Sequence, residues 1–268
     1  MVSDRPTLRL LVDERRGRTR RAALAALGCE LVLLLAVASA PGSAVVLFED
    51  TFSGRPGLIT NEYAAHHPTD ARSRISPGWV VTSGSLFGTG GAATDGAIDR
   101  GTVDPGSTGP TDSAVFRAYT RARFEPSYSI RFNARVAPPA RPSGPAWDGF
   151  HVIVCARSPA SAYYVSVARR DGRSVIKKKT AGGPIAGGTY TAISPYRPFT
   201  FPDDRFEPVR IDVTRNGDES VSIDLYVAGH QIVSATDETA AAYSGAGRIG
   251  LRADWTQVWI RDLEVVAG

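Results

Sequence analysis

The sequence predicts an all-β, two-sheet antiparallel β-sandwich, and three observations carry that prediction. After residue 44 no segment sustains the 3.6-residue apolar period of an amphipathic helix, apart from a short helical turn expected near Glu238–Tyr243. Short runs of alternating apolar and polar residues recur instead, separated by turn-forming residues. Gly 27 and Pro 18 in a chain of 268 residues are above ordinary usage, which suits many turns and short strands. The hydrophobic content of 43% and charged content of 22% are those of a globular chain and exclude disorder throughout.

Residues 1–44 read as an export signal. Arg15, Arg16, Arg18, Arg20 and Arg21 precede an apolar run from Ala22 to Ala40, broken only by Glu30. Gly42-Ser43-Ala44 offers a small-residue cleavage site before Val45, and Thr19-Arg20-Arg21 is similar to a twin-arginine signal. The competing expectation is a membrane anchor over residues 22–40, since the run nearly reaches spanning length. Much of the +4 net charge falls in this segment, so it says little about the remainder. Residues 45–268 are of a size to form a single sandwich domain with a full core, expected to be a monomer.

Taken in order, Val45–Phe52 reads as the first strand and residues 53–78 as irregular. Trp79–Phe87 forms a second strand-like block, and residues 88–112 a long loop rich in Gly, Asp, Thr and Pro. Ser113–Arg117 and Ser127–Val136 follow, then a loop over Ala137–Ala146 that holds four prolines. Three strands are expected between Trp147 and Lys179. A Gly/Pro-rich excursion at 180–205 carries Tyr190, Tyr196, Phe199 and Phe201, which either rim a cleft or pack the loop onto the sandwich. Pro208–Arg215, Ser220–Val227, Gln231–Thr236, Arg248–Ala253 and Val258–Val266 complete the strands.

The stretch from Trp147 to Lys179 carries the densest chemistry. If Asp171-Gly172 is a two-residue type I′ turn, Val167 faces Ile176, Ser166 faces Lys177 and Tyr164 faces Lys179. Tyr164, Ser166, Lys177 and Lys179 then share one polar face, while Phe150, Val152, Val154 and Ala156 of the preceding strand point inward. His151, Ile153, Cys155 and Arg157 point outward on the same parity. If the strand Ser127–Val136 lies alongside, Arg131, Asn133 and Arg135 join that face. Rows about 7 Å apart would put His151 about 14 Å from Tyr164, too far to act on one bond. Such a face suits a hydroxyl-rich or anionic sugar chain, with Arg131, Asn133, Arg135, Ser166, Lys177 and Lys179 binding substrate and Tyr164 stacking on a ring.

The last third, through Gly247-Arg248-Ile249-Gly250-Leu251 and Val258–Leu263, resembles the concanavalin A-like lectin/glucanase jelly roll. So does Phe48–Phe52 followed by Trp79–Leu86. The resemblance covers most of residues 45–268 and implies a carbohydrate-binding or carbohydrate-active protein, with a polysaccharide or oligosaccharide as partner. Arg131-Phe132-Asn133-Ala134-Arg135, then His151, then Tyr164 is similar in order to jelly-roll polysaccharide lyases. That likeness implies β-elimination from a uronate glycan, with Tyr164 and His151 catalytic. The chain departs from that pattern at Asn133, where an acidic residue is expected between the arginines. A glycoside hydrolase is the other enzymatic alternative, but the E-x-D-x-x-E strand of retaining glucanases is absent. Glu125, Asp148 and Asp212 would have to converge instead. A surface-interaction domain without a sugar ligand is the non-enzymatic alternative.

No cofactor is required by any motif. The four histidines lack zinc spacing, and no phosphate loop, dinucleotide fingerprint or serine elbow occurs. The resemblance adds a structural calcium, for which Glu49, Asp50 and Asp262 are candidate ligands. Modest charge argues against nucleic acid. Cys155 reads as a small buried hydrophobe.

Overall fold

The computed structural model describes residues 44–268 apart from residue 186. All but the last residue of the expected export signal therefore lies outside the described residues. Among the described residues no helix is long and apolar enough to cross a membrane.

Among the described residues eighteen strands and one short helix follow one another. The first part holds β1 (Val46–Asp50), β2 (Gly57–Asn61), α1 (Glu62–His66), β3 (Trp79–Ser83), β4 (Ser85–Gly88) and β5 (Ala93–Thr94). The middle holds β6 (Val115–Thr120), β7 (Tyr128–Val136), β8 (Gly149–Ser158), β9 (Ser161–Arg169), β10 (Arg173–Ser174) and β11 (Ile176–Ile185). The last part holds β12 (Gly188–Ala192), β13 (Arg197–Pro198), β14 (Glu207–Arg215), β15 (Val221–Val227), β16 (His230–Asp237), β17 (Arg248–Asp254) and β18 (Val258–Ala267).

These strands make two large sheets and a small two-stranded one, β10-β13. The nine-stranded sheet runs β16-β15-β14-β7-β18-β5-β4-β2, with β1 also on β18; the seven-stranded sheet runs β12-β11-β9-β8-β17-β6-β3. Every pairing between named strands is antiparallel, as the alternating patterns predicted. On β14 the apolar Val209, Ile211 and Val213 are buried while Arg210 and Thr214 are exposed, and Ile130, Phe132 and Ala134 of β7 are buried likewise. These residues meet Phe150, Val152, Val165 and Val167 of the seven-stranded sheet in one continuous core.

Several expected elements differ, each for a local reason. The block Trp79–Phe87 is two strands in two sheets, broken at Gly84, which takes φ +77 and leaves no room for a Cβ beside Thr111 Oγ1. The irregular span 53–78 contains β2 and a one-turn helix whose N-cap, Asn61, accepts from Ala64 N–H at 3.2 Å. The expected helical turn near Glu238 is a single turn closed by Ala242 N–H on Thr239 O.

Two corrections bear on the site. First, β7 lies in the nine-stranded sheet, so Arg131, Asn133 and Arg135 are on the opposite outer face from Tyr164. Second, the β9–β11 register differs by two residues from the expected one: Tyr164 faces Lys177 and Ala162 faces Lys179. Asp171-Gly172 is not a type I′ turn, because only Gly172 has positive φ. The turn spans Arg169–Gly172, closed by Gly172 N–H on Arg169 O, and β10 leaves to pair with β13. A shift of two preserves parity, so Tyr164, Ser166, Lys177 and Lys179 still share a side. Cys155 breaks parity. Its φ of +52 marks a bulge that turns its side chain into the main core, where Tyr128 Oη lies 3.7 Å from its sulfur, and leaves Ala156 on the outer side.

Candidate functional site

The outer face of the seven-stranded sheet holds a cavity of about 280 Å³. Three rows of cross-strand neighbours build it. Asp254 and Arg169 flank Gly149, whose missing side chain is required because a Cβ would strike Ala168 O. Next come Arg117, Arg252, His151 and Ser166, then Tyr119, Gly250, Ile153, Tyr164 and Lys177. Beyond them Ala162, Lys179 and Tyr190 pair across β9, β11 and β12. Exposed Trp147 and Ile185 stand at the rim.

Hydrogen bonds fix the floor. Arg252 donates Nε and Nη2 to the two oxygens of Asp254 at 2.7 and 2.8 Å, and Nη1 to Tyr190 Oη at 3.0 Å. His151 Nε2 lies 2.8 Å from Trp147 O and 3.7 Å from Asp254 Oδ2, while Nδ1 lies 3.1 Å from Ser166 Oγ. A carbonyl can only accept, so Nε2 carries the proton and Nδ1 accepts from the Ser166 hydroxyl. Burial pushes the His151 pKa down to about 4 against the pull of Asp254, with Arg252 and Arg169 adding to the fall. The ring is neutral at neutral pH.

The walls are aromatic. Tyr164 and Tyr190 meet edge to face with centroids 5.0 Å apart, and Arg252 lies 5.8 Å from the Tyr164 ring centre. The hydroxyls of Tyr164 and Tyr119 are buried and have no well-formed hydrogen bond among the described residues. Burial raises the pKa of Tyr119 and of Tyr190, so both remain phenols.

Of the residues expected to form the site, the structure gathers Tyr164, His151, Ser166 and Lys177. His151 and Tyr164 are not four residues apart along the strands. His151 faces Ser166 and Ile153 faces Tyr164, so the two are diagonal neighbours, about 7–8 Å apart at Cα. The irregularity between Val154 and Ser158, at the Cys155 bulge, makes the difference. Lys179 is 1% exposed, donates to Pro159 O at 2.9 Å and lies under the Tyr190 ring at 5.2 Å. Burial lowers its pKa, and it supports Tyr190 instead of reaching the cavity.

Arg131 and Asn133 line a shallow cavity of about 440 Å³ on the other outer face, with Arg210, Tyr226, Asp262 and Glu264. Arg135 stacks 3.8 Å over Trp259 on that sheet. Glu125, Asp148 and Asp212 do not come together in either cavity. Asp148 is tied to Arg141 at the start of the seven-stranded sheet, and Asp212 accepts from Ser129 on the nine-stranded one. Among the described residues no three His, Cys, Asp or Glu side chains are grouped to hold a metal. Asp50, one expected calcium ligand, accepts from Trp79 Nε1 and Phe52 N–H; Asp262 accepts from Asn133; Glu49 is exposed opposite Glu264.

Trp147, Arg169, Arg252 and Asp254 were not expected at the site. The alternation of Arg248–Asp254 shows that Arg252 and Asp254 share a face. The placement of β17 beside β8 has no such local signal.

The two antiparallel sheets packed over one core have the fold of a concanavalin A-like jelly roll. Neither a family model nor a curated protein sequence matches the chain. Solved structures do. A protein of unknown function with a galectin-like fold from Bacillus subtilis aligns with TM-score 0.51 and 10% identity, over 83% of this chain and 96% of that one. LamA from Zobellia galactanivorans, solved with laminaritriose and laminaritetraose, aligns with TM-score 0.50 and 11% identity, over 83% and 98%. A structure described with endo-acting O-glycanases of the human gut microbiota gives TM-score 0.51 and 11% identity, over 83% and 99%. At these identities the likeness is one of fold.

Proposed function

We propose that the cavity on the outer face of the seven-stranded sheet binds carbohydrate. The observation that carries this reading is the pairing of aromatic walls with a hydrogen-bonding floor. Tyr164, Tyr190 and Trp147 present ring surface, while Arg252, His151 and Ser166 are held in place by their own bonds. A sugar ring needs both, an apolar face to stack on and donors fixed at its hydroxyls. The volume of about 280 Å³ suits one or two sugar residues seated in the cavity.

Cleavage by paired carboxylates has little support. Asp254 is the single carboxylate in the lining, and Arg252 occupies both its oxygens. A second reading, β-elimination, is favoured by the convergence of His151, Tyr164 and Arg252 in one cavity. There Arg252 would stabilise charge on the sugar carboxylate, and Tyr164 or His151 would move the proton.

Incubation with a panel of polysaccharides separates the readings. The binding reading expects retention without turnover, weakened about fivefold or more by Trp147→Ala, an exposed position, at unchanged thermal stability. New ultraviolet absorbance from a double bond would establish elimination instead. If no glycan is retained or altered, the carbohydrate reading fails.

A further inference from the structure

The charges around the cavity are unevenly compensated. Arg252 has both oxygens of Asp254 at its end. At the other end Arg169 gives Nε and Nη2 to Asp171 at 2.9 and 2.7 Å, with its side chain 3% exposed. Its remaining Nη1 is buried and has no hydrogen-bond partner among the described residues. Lys177, partly exposed on the cavity wall, has no carboxylate within ion-pair distance among the described residues. Two cations and one carboxylate therefore meet at this end.

They also converge on one ring. The Lys177 ammonium lies 5.7 Å and the Arg169 guanidinium 5.5 Å from the centre of Tyr196, which is 42% exposed. The three come from separate segments, β11, the end of β9 and the loop after β12. Ile193 N–H on Ile176 O and Ile176 N–H on Ser194 Oγ hold that loop in place. An uncompensated ammonium beside a second, immobilised cation is a place where an anion gains charge-assisted hydrogen bonds without displacing an existing partner.

We propose that Lys177, Arg169 and Tyr196 form a subsite for an anionic substituent on a sugar, so that the cavity takes an acidic polysaccharide. The inference rests on the carbohydrate reading of the same cavity. Carboxylate and sulfate present the same chemistry to such a subsite, and the experiment distinguishes them.

Retention is measured on two matched pairs: polygalacturonate against its fully methyl-esterified form, and dextran sulfate against dextran. At least one anionic polymer is expected to be held tenfold or more above its neutral partner, and the pair that discriminates identifies the group. Lys177→Ala should cut that retention about ten- to a hundredfold, the range of one charge-assisted bond, while Lys177→Arg retains most of it. Arg210→Ala, an equal charge change on the opposite outer face, should leave it unchanged. Equal retention of charged and neutral partners would overturn the subsite and leave carbohydrate binding standing. Equal losses from Lys177→Ala and Arg210→Ala would show attraction by overall basicity, and would also overturn it. If none of the four polymers is held, the subsite falls together with the carbohydrate reading.

Discussion

Tyr164 carries a buried hydroxyl without a well-formed partner, at the meeting point of Arg252, Tyr190 and Tyr119. The Tyr119 and Tyr190 hydroxyls are its polar neighbours, and a buried donor without a good bond costs about 1–3 kcal/mol. On the carbohydrate reading, a ligand seated in the cavity would give this hydroxyl a further partner. Tyr164→Phe is therefore expected to hold or raise the melting temperature while weakening glycan retention about fivefold, roughly 1 kcal/mol. A fall in melting temperature parallel to the loss of retention would assign the hydroxyl to the fold. His151 illustrates the opposite case: both ring nitrogens are occupied, by Trp147 O and Ser166 Oγ, and burial keeps the ring neutral. Its identity was visible in the sequence as a polar residue in a strand. Its neighbours were not, because they depend on which strand lies beside which.

Period-two alternation located nearly every long strand, and parity placed Tyr164, Ser166 and Lys177 on one side. Sheet membership escaped it. Nothing local to Tyr128–Val136 distinguishes a strand of one sheet from a strand of the other, since both bury one face in the same core. Turn chemistry was equally ambiguous. Asp171-Gly172 has the favoured composition for a type I′ turn, yet that geometry occurs at Ala228-Gly229, where φ is +50 and +80 and Val227 faces His230. There the fold holds an exposed alanine in the left-handed region, at a cost of about 1–2 kcal/mol. Ala228→Asn should recover about 0.5–1 kcal/mol in denaturant unfolding at unchanged slope. Destabilisation by this substitution would show that the β15–β16 turn is not held as described.

At the scale of the whole domain, the two sheets are joined by more than apolar contact. Lys178 of β11, in the seven-stranded sheet, pairs at 2.6 Å with Asp237 of β16, in the nine-stranded one. Tyr163 of β9 donates to the same carboxylate at 2.6 Å and in turn accepts Tyr243 N–H at 2.9 Å. Thr239 donates to the other oxygen, at 2.7 Å from Oγ1. Burial opposes charge on Asp237, but the Lys178 ammonium and the Thr239 and Tyr163 hydroxyls outweigh it and lower the pKa. A carboxyl whose folded pKa lies below its unfolded value of about 4 stabilises the fold fully above that value. The contribution fades as pH falls through the lower, folded pKa. Asp237→Asn keeps the shape but strands the Lys178 ammonium among buried neighbours, at an expected cost of about 3–5 kcal/mol near neutral pH. That corresponds to a fall in melting temperature of roughly 6–20 °C for a domain of this size. The variant should also lose part of the acid-dependent limb expected of the parent chain below about pH 4, since the group that titrates there is gone. Adding Lys178→Met to Asp237→Asn should restore much of the loss, because the stranded charge is removed with it. If the single variant melts within about 2 °C of the parent at pH 7, the ion pair is not what ties the sheets together.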